Sequence, residues 1–309
     1  MNRVSTTSNY SAILANLMAA QQRQVEAGAQ VSSQKIGDDL KGYAKNAEML
    51  TAMRSVQSRT QAFMDQNALV ADKLTTQATA LGQVADAALG ARQAIAEALA
   101  NGRVDTLIED MQAQFRNAVE GLNARHGGKY IFAGGQIDTR PMTATSLSDL
   151  TTPATTVADF FKNDDYVSQA RLDDSTTINT GILADDIGTG IMNAFKAFQA
   201  FEEGPTGSFA GQMTDAQRAF LEGQLASWDQ AQQNVTNIAG RNGLIQKRTD
   251  TVKADLVGRN DGLKAMIGGI TDVDMSAAIS NLQAAGIAVQ AAAQVFNALQ
   301  TTSLLNFLK

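Results

Sequence analysis

The chain has 309 residues, a formal net charge of −6 and hydrophobic residues at 44% of its positions. Its Lys and Arg residues are scattered among Asp and Glu, which excludes the basic stripe that nucleic-acid binding needs, so no nucleic-acid partner is expected. The sequence contains no cysteine, which excludes disulfides, zinc-finger sites and thiol chemistry.

The N-terminal residues have the pattern of an amphipathic helix. They lack the apolar core of a secretory signal peptide, and no run of about 18 apolar residues predicts a transmembrane helix. We therefore expect no cleaved signal peptide and no membrane partner. The apolar stripe of this helix contains Tyr10, Ile13, Leu14, Leu17, Met18 and Val25.

A very long helical pattern follows the linker SSQKIGDDLKG and covers about residues 42–99. Its apolar residues alternate at spacings of four and three, which is a heptad seam of about six repeats. Thr60, Asn67 and Gln77 interrupt this seam with polar side chains. Polar seam residues weaken a coiled coil but fix its register.

A shorter helix is predicted over about residues 104–125, after the turn sequence NGR. It is followed by RHGGKYIFAGGQIDTRP, residues 125–141, which holds the only histidine of the chain. This stretch matches neither a P-loop nor a dinucleotide fingerprint. We interpret Arg125 and His126 as the end of the helix, and the segment YIF as a short strand.

The middle of the chain, about residues 127–211, is rich in Thr, Asp and Gly. YVSQARLDDSTTINTGIL alternates around an Asp-Asp-Ser turn and predicts a β-hairpin, and residues 187–201 predict a short helix. Four adjacent Asp pairs occur, and each is expected to stabilise a turn. No nucleophile elbow and no EF-hand loop occurs. We therefore predict no enzyme activity, no catalytic residues, no metal and no cofactor.

A second long heptad pattern covers about residues 214–267, and the linker GGITDVD separates it from a C-terminal apolar helix. The order of helices in the two halves is mirrored. The predicted fold is mainly α: a long antiparallel helical-bundle or coiled-coil rod with both termini together and a small β-hairpin-containing middle region. The expected domains are a terminal coiled-coil assembly domain (1–41 and 270–309), a helical rod (42–130 and 212–269) and an outer region (131–211).

Each terminal helix carries about one apolar stripe and has little core around it, so both helices are expected to become ordered against other subunits. The predicted assembly interface comprises Ile13, Leu14, Leu17, Ile279, Leu282, Val289, Phe296, Leu304, Leu305 and Leu308. The predicted junction between the rod and the outer region comprises Gly127, Gly128, Tyr130, Phe132, Gly134 and Gly135.

Four segments together resemble the bacterial flagellin family: RVSTTSNY, SSQKIGDDLKGYA, DVDMSAAISNLQ and QTTSLLNFL. The similarity covers roughly the first 130 and the last 100 residues and is carried by the order and spacing of these segments. GKYIFAGGQIDTRP and SLLNFL are most similar to the hook-associated branch of the family, whose members lie at the junction of hook and filament.

The resemblance implies a structural subunit that is exported unfolded through the flagellar type III apparatus and located in the extracellular flagellum. It implies a homo-oligomer, either a ring or a helical tube, in contact with a neighbouring hook-associated protein and with flagellin. It also implies a cytoplasmic export chaperone that covers residues 289–308. Two alternatives stay open, namely a short flagellin of the filament and a secreted adhesin or effector with a helical stalk.

Overall fold

The computed structural model describes residues 3–206 and 208–305, with side chains over 10–206 and 208–298. The described residues form six α-helices and two small antiparallel hairpins, and this confirms the predicted mainly α fold. The elements in chain order are α1 Arg3–Ser33, α2 Ala47–Asn101, α3 Leu107–Leu122, β1 Arg125–His126, β2 Lys129–Tyr130, β3 Gln169–Arg171, β4 Thr177–Asn179, α4 Ala184–Glu202, α5 Asp215–Thr271 and α6 Met275–Leu305.

The chain divides into two compact units. The terminal unit comprises Met1–Arg59 and Arg259–Lys309, and the central unit comprises Thr60–Gly258. The boundaries lie within the two longest helices, α2 and α5. The three-part division into assembly, rod and outer domains stays a prediction.

In the terminal unit α1 and α6 pack side by side in opposite directions. The rings of Tyr10 and Phe296 lie 5.3 Å apart, and at the other end of the pair Lys35 Nζ lies 2.5 Å from Asp272 Oδ1. Since Tyr10 precedes Lys35 and Phe296 follows Asp272, the two helices are antiparallel.

The connections of the terminal unit are held by short hydrogen bonds. Ile36 N donates to Thr271 O at 2.8 Å, and the side chain of Asp39 accepts from two backbone N–H groups of a short 3₁₀ turn. The prediction of the second linker was wrong in its extent. Its two glycines and the following Ile and Thr continue α5 to Thr271, so the break comprises Asp272 to Asp274.

In the central unit the predicted heptad seams bring α2 and α5 together, also antiparallel. Arg218 Nη1 donates to Leu99 O at 3.4 Å and Asn242 Nδ2 donates to Leu74 O at 2.9 Å. The seam residues of both helices are largely buried here, the polar ones included. The heptad spacing therefore identified the packed faces of α2 and α5 correctly.

The widest part of the core lies where α3 and α4 join these two helices. The ring of Phe195 meets Phe115 edge-to-face at a centroid distance of 5.4 Å and Trp228 at 4.8 Å. All three side chains are at most 1% exposed. Apart from Trp228, the buried seam residues of α2 and α5 are mostly Ala, Leu and Val, so this aromatic cluster supplies three of the largest buried side chains of the unit.

The third predicted helix ends earlier than the sequence suggested. α3 stops at Leu122, and Arg125 and His126 form strand β1 instead of a helix end. Gly127 and Gly128, at φ angles of 56° and 81°, make the two-residue turn of the β1–β2 hairpin. Turns of this kind need positive φ at both positions, which glycine adopts without steric cost.

Candidate functional site

The outer surface of the terminal unit is the first candidate site. Helix α6 is 31 residues long and contains no charged residue. It exposes large aliphatic side chains: Ile279 is 44%, Ile287 67% and Val295 51% exposed. A helix without a charged face is typical of one that is surrounded by protein.

Helix α1 adds a second exposed apolar stripe to the same unit. Tyr10, Leu14, Met18 and Val25 lie at spacings of four, four and seven, so they share one side of the helix. Val25 is 71% exposed and Met18 is 62% exposed. Exposed side chains of this size at regular spacing favour a protein interface over a solvated surface.

The predicted interface residues divide into two groups. Leu14 and Ile279 are exposed, while the others with described side chains are half-buried within the terminal unit: Ile13, Leu17, Leu282, Val289 and Phe296. The side chains of Leu304 and Leu305, and all of Leu308, lie outside the described residues. The heptad seam did not include Ile287 and Val295. The sequence feature that could have identified these two residues is the absence of charged residues along the whole of α6.

The junction segment is the second candidate site, and its residues have distinct environments. Tyr130 is half-buried in β2, and Phe132 is completely buried, with its carbonyl accepting from Ala184 N at 2.9 Å. Only Tyr130 of the predicted YIF strand lies in a strand.

Gly134 has a φ of 66°, and a Cβ there would lie 2.1 Å from Asp164 Oδ1. Gly135 N donates to the same carboxylate oxygen at 2.7 Å.

Backbone N–H groups near the junction segment and in the β3–β4 hairpin donate hydrogen bonds to Asp side chains, which is the turn-stabilising role that the sequence predicted for them. Asp164 also accepts from Tyr166 N, and these backbone donors lower the pKa of its carboxyl group. Asp173 accepts from the amides of the hairpin turn. Asp185 and Asp186, predicted in a turn, instead begin α4, where carboxylates are favoured by the helix dipole.

Two polar seam residues of α2 hold the β3–β4 hairpin against this helix. Asn67 Nδ2 donates to Leu172 O at 3.0 Å, just after β3, and Gln77 Nε2 donates to Thr180 O at 3.0 Å, just after β4. Both amide groups are completely buried, and their oxygens have no hydrogen-bond partner among the described residues. The sequence predicted that these residues fix the register of the helical seam; in the structure both instead bond to the β3–β4 hairpin.

His126 lies in β1 and does not end α3, although the sequence predicts that it does. Its Nδ1 lies 3.1 Å from Thr76 Oγ1 on α2. Nearby, Lys73 donates to Ser168 Oγ at 3.0 Å, and burial lowers the pKa of its amine. Across the described part of the chain, no three His, Cys, Asp or Glu side chains are placed to hold a metal ion.

Comparison with known proteins finds a family match in the C-terminal part of the chain. Residues 225–308, which contain most of α5 and α6, match the family model of the bacterial flagellin C-terminal helical region. The predicted resemblance to the flagellin family is confirmed. A search of curated proteins found no significant sequence relative.

Solved structures of flagellar proteins share the fold. One is a putative flagellar hook-associated protein from Vibrio parahaemolyticus, with a TM-score of 0.60 and 16% identity over 76% of this chain and 99% of that one. Another is FlgL from Bacillus cereus, with a TM-score of 0.53 and 15% identity over 71% of this chain and 99% of that one.

Within the described residues, no helix has the length and apolar character that a membrane crossing requires.

Proposed function

We propose that this chain is a structural subunit of the bacterial flagellum and forms the junction between hook and filament, the place of hook-associated protein 3. It assembles into a ring or helical tube through its terminal helices. One observation carries the proposal: α6 has no charge over its 31 residues and exposes Ile279, Ile287 and Val295, in the same unit as the exposed stripe of α1.

The energetics of this surface favour association between copies. A fully covered aliphatic side chain contributes roughly 1.5–3 kcal/mol, so three such side chains on each subunit can offset part of the cost of ordering a subunit in a tube. An uncharged helix also places no unpaired charge in a tightly packed centre.

In this proposal, residues 1–41 and 270–309 form the assembly domain, and the junction segment leads into the outer region, residues 131–211.

Export explains how a protein with such a surface is handled before assembly. We propose that the chain passes unfolded through the flagellar type III apparatus, and that a cytoplasmic chaperone covers the apolar residues around 289–308 until then. Outside the cell the subunit contacts a neighbouring hook-associated protein on one side and flagellin on the other. The fold similarity to the two hook-associated structures supports this placement over a filament-forming role.

The assembly step is tested by replacing Ile287 and Val295 with Lys in the full chain. Lysines enclosed between subunits lose their hydration, so the double variant should stay monomeric where the unmodified chain sediments as an oligomer or polymer. Leu244→Lys is the matched control, because Leu244 is 69% exposed on α5 of the central unit. Circular dichroism checks that both variants keep their helices. Assembly of the double variant at the concentration of the unmodified chain would refute the proposed interface.

Removal of residues 275–309 gives a second test. The truncated chain should stay soluble and should fail to restore motility to a strain that lacks the protein. If it still forms tubes or restores motility, the terminal helices are not the assembly element.

A further inference from the structure

A cleft lined by three arginines lies in the central unit. Its volume is about 400 Å³, and it is formed by α3, the β1–β2 hairpin and the segment that leads away from the hairpin. Arg116, Arg125 and Arg140 line it, and Glu120 is the one acidic side chain among its lining residues. A cleft with a surplus of two positive charges is unusual in a chain whose net charge is −6.

Two of the three guanidinium groups are free to bind a ligand. Arg125 stacks on the ring of Tyr130, 4.2 Å from its centroid, and donates to the Tyr130 hydroxyl. Arg116 and Arg140 form no hydrogen bond or ion pair with the described residues. Two uncharged polar side chains of the lining are already engaged: Asn123 binds the backbone of residue 142, and Thr145 donates to a carboxylate outside the cleft.

The same unit carries an acidic cluster with free carboxylates. Asp185 accepts from Asn163 Nδ2 at 2.8 Å, but the carboxylates of Asp165 and Asp186 accept no hydrogen bond from the described residues. Burial first, and then the charges of Asp185 and Asp165, raise the pKa of Asp186, while Arg241 partly offsets them. Negative charge therefore accumulates here without a sufficient counter-charge.

We propose that the arginine cleft of one copy binds the Asp165 and Asp186 cluster of a second copy. Guanidinium groups bind carboxylates through paired N–H donors, and the two free guanidinium groups equal the two free carboxylates in number. Among the described residues no ion pair joins these two sets of groups within one chain, so a second copy is the complementary partner that the chain itself offers. The contact joins two different surfaces, and a repeated contact of that kind generates a ring or a helical array. It rests on the proposed assembly function and adds a contact outside the terminal unit.

Charge exchange tests the pairing in the full chain. The variant Arg116→Glu/Arg140→Glu and the variant Asp165→Lys/Asp186→Lys should each associate at least about tenfold more weakly than the unmodified chain by sedimentation velocity. Their equimolar mixture should recover association, since each reversed cleft then meets a reversed cluster. Lys247→Glu/Arg248→Glu is the control, because it makes the same charge change as the cleft variant on an exposed part of α5.

A cross-linking experiment keeps the test independent of charge effects on folding. The natural chain has no cysteine, so a mixture of Arg140→Cys and Asp186→Cys chains should form a disulfide-linked pair under mild oxidation. A mixture of Arg140→Cys and Arg248→Cys chains should not. Full assembly by both charge variants, or equal cross-linking in both mixtures, would refute the pairing and leave the terminal interface standing. Absence of association by the unmodified chain would refute both proposals.

Discussion

The sharpest prediction concerns the two buried amides that attach the β3–β4 hairpin to α2. We consider the variant Asn67→Leu/Gln77→Met, in which apolar groups of similar shape replace both amides. The two residues are ten positions apart on α2, which corresponds to about 15 Å along the helix axis. Asn67 holds the hairpin near its turn, and Gln77 holds it near its open end. The variant removes both hydrogen bonds, each 3.0 Å long in the structure.

Two effects of similar size oppose each other in the global free energy of unfolding. Each lost hydrogen bond leaves a hairpin carbonyl without its donor, at a cost of about 1–3 kcal/mol. Each substitution also removes an amide oxygen that is buried without a partner, and this gain is of the same order. The free energy of unfolding should therefore change by less than about 2 kcal/mol.

Local opening of the hairpin has no such compensation. The open hairpin exposes its carbonyls to water whichever residue occupies α2, so each lost bond lowers the free energy of the local opening that breaks it by about 1–3 kcal/mol. Backbone amides at Leu172 and Thr180, which donate to Thr176 O and Ser168 O, should then exchange roughly 5- to 150-fold faster. The measurement is native-state hydrogen exchange.

The matched control is Gln93→Met, which changes an exposed glutamine of α2 in the same way. It should leave the exchange of the hairpin amides unaltered. Unchanged protection of these amides in the double variant would refute the positioning role of the seam amides.

Three further predictions concern single sites of the central unit. Phe195→Ala should lower the free energy of unfolding by about 3–5 kcal/mol in urea titrations, because its ring is completely buried between two aromatic rings. Four hydrogen bonds from Thr and Ser lower the pKa of Asp149 to about 2. The stability that this carboxylate contributes is therefore complete above pH 3.8 and is lost as the pH falls toward 2. The urea midpoints of Asp149→Asn should lack that part of the pH dependence. Gly134→Ala should lower the melting temperature more than Gly127→Ala, because both glycines have positive φ but only at Gly134 does a Cβ clash with Asp164.

Features encoded in local periodicity were predictable from the sequence. Both long helices, their packed faces and the β3–β4 hairpin followed from heptad spacing and from the Asp-Asp-Ser turn, because each signal repeats or lies within a few residues. The polar seam residues were predicted to fix the register of the seam, and that stays a prediction. Their partner was not predictable, because Asn67 binds a carbonyl 105 residues away in the sequence.

The errors have different physical origins, some local and some long-range. Arg125 and His126 continue a helical pattern in the sequence, yet they form a strand because the following two glycines allow a tight turn and Tyr130 pairs with Arg125. The two glycines of the second linker continue α5, since glycine weakens a helix by only about 1 kcal/mol, which tertiary packing overrides. The arginine cleft combines residues from three elements, and no local pattern marks it.

The central claim is that this chain forms the junction between hook and filament. Electron microscopy of intact flagella, with a small epitope tag inserted at the exposed turn residue Asp174 and labelled with gold, tests it most directly. The proposal predicts label at one position per flagellum, between the end of the hook and the start of the filament. Label along the whole filament would instead identify a short flagellin, and label on the cell surface or in the medium alone would contradict a flagellar role.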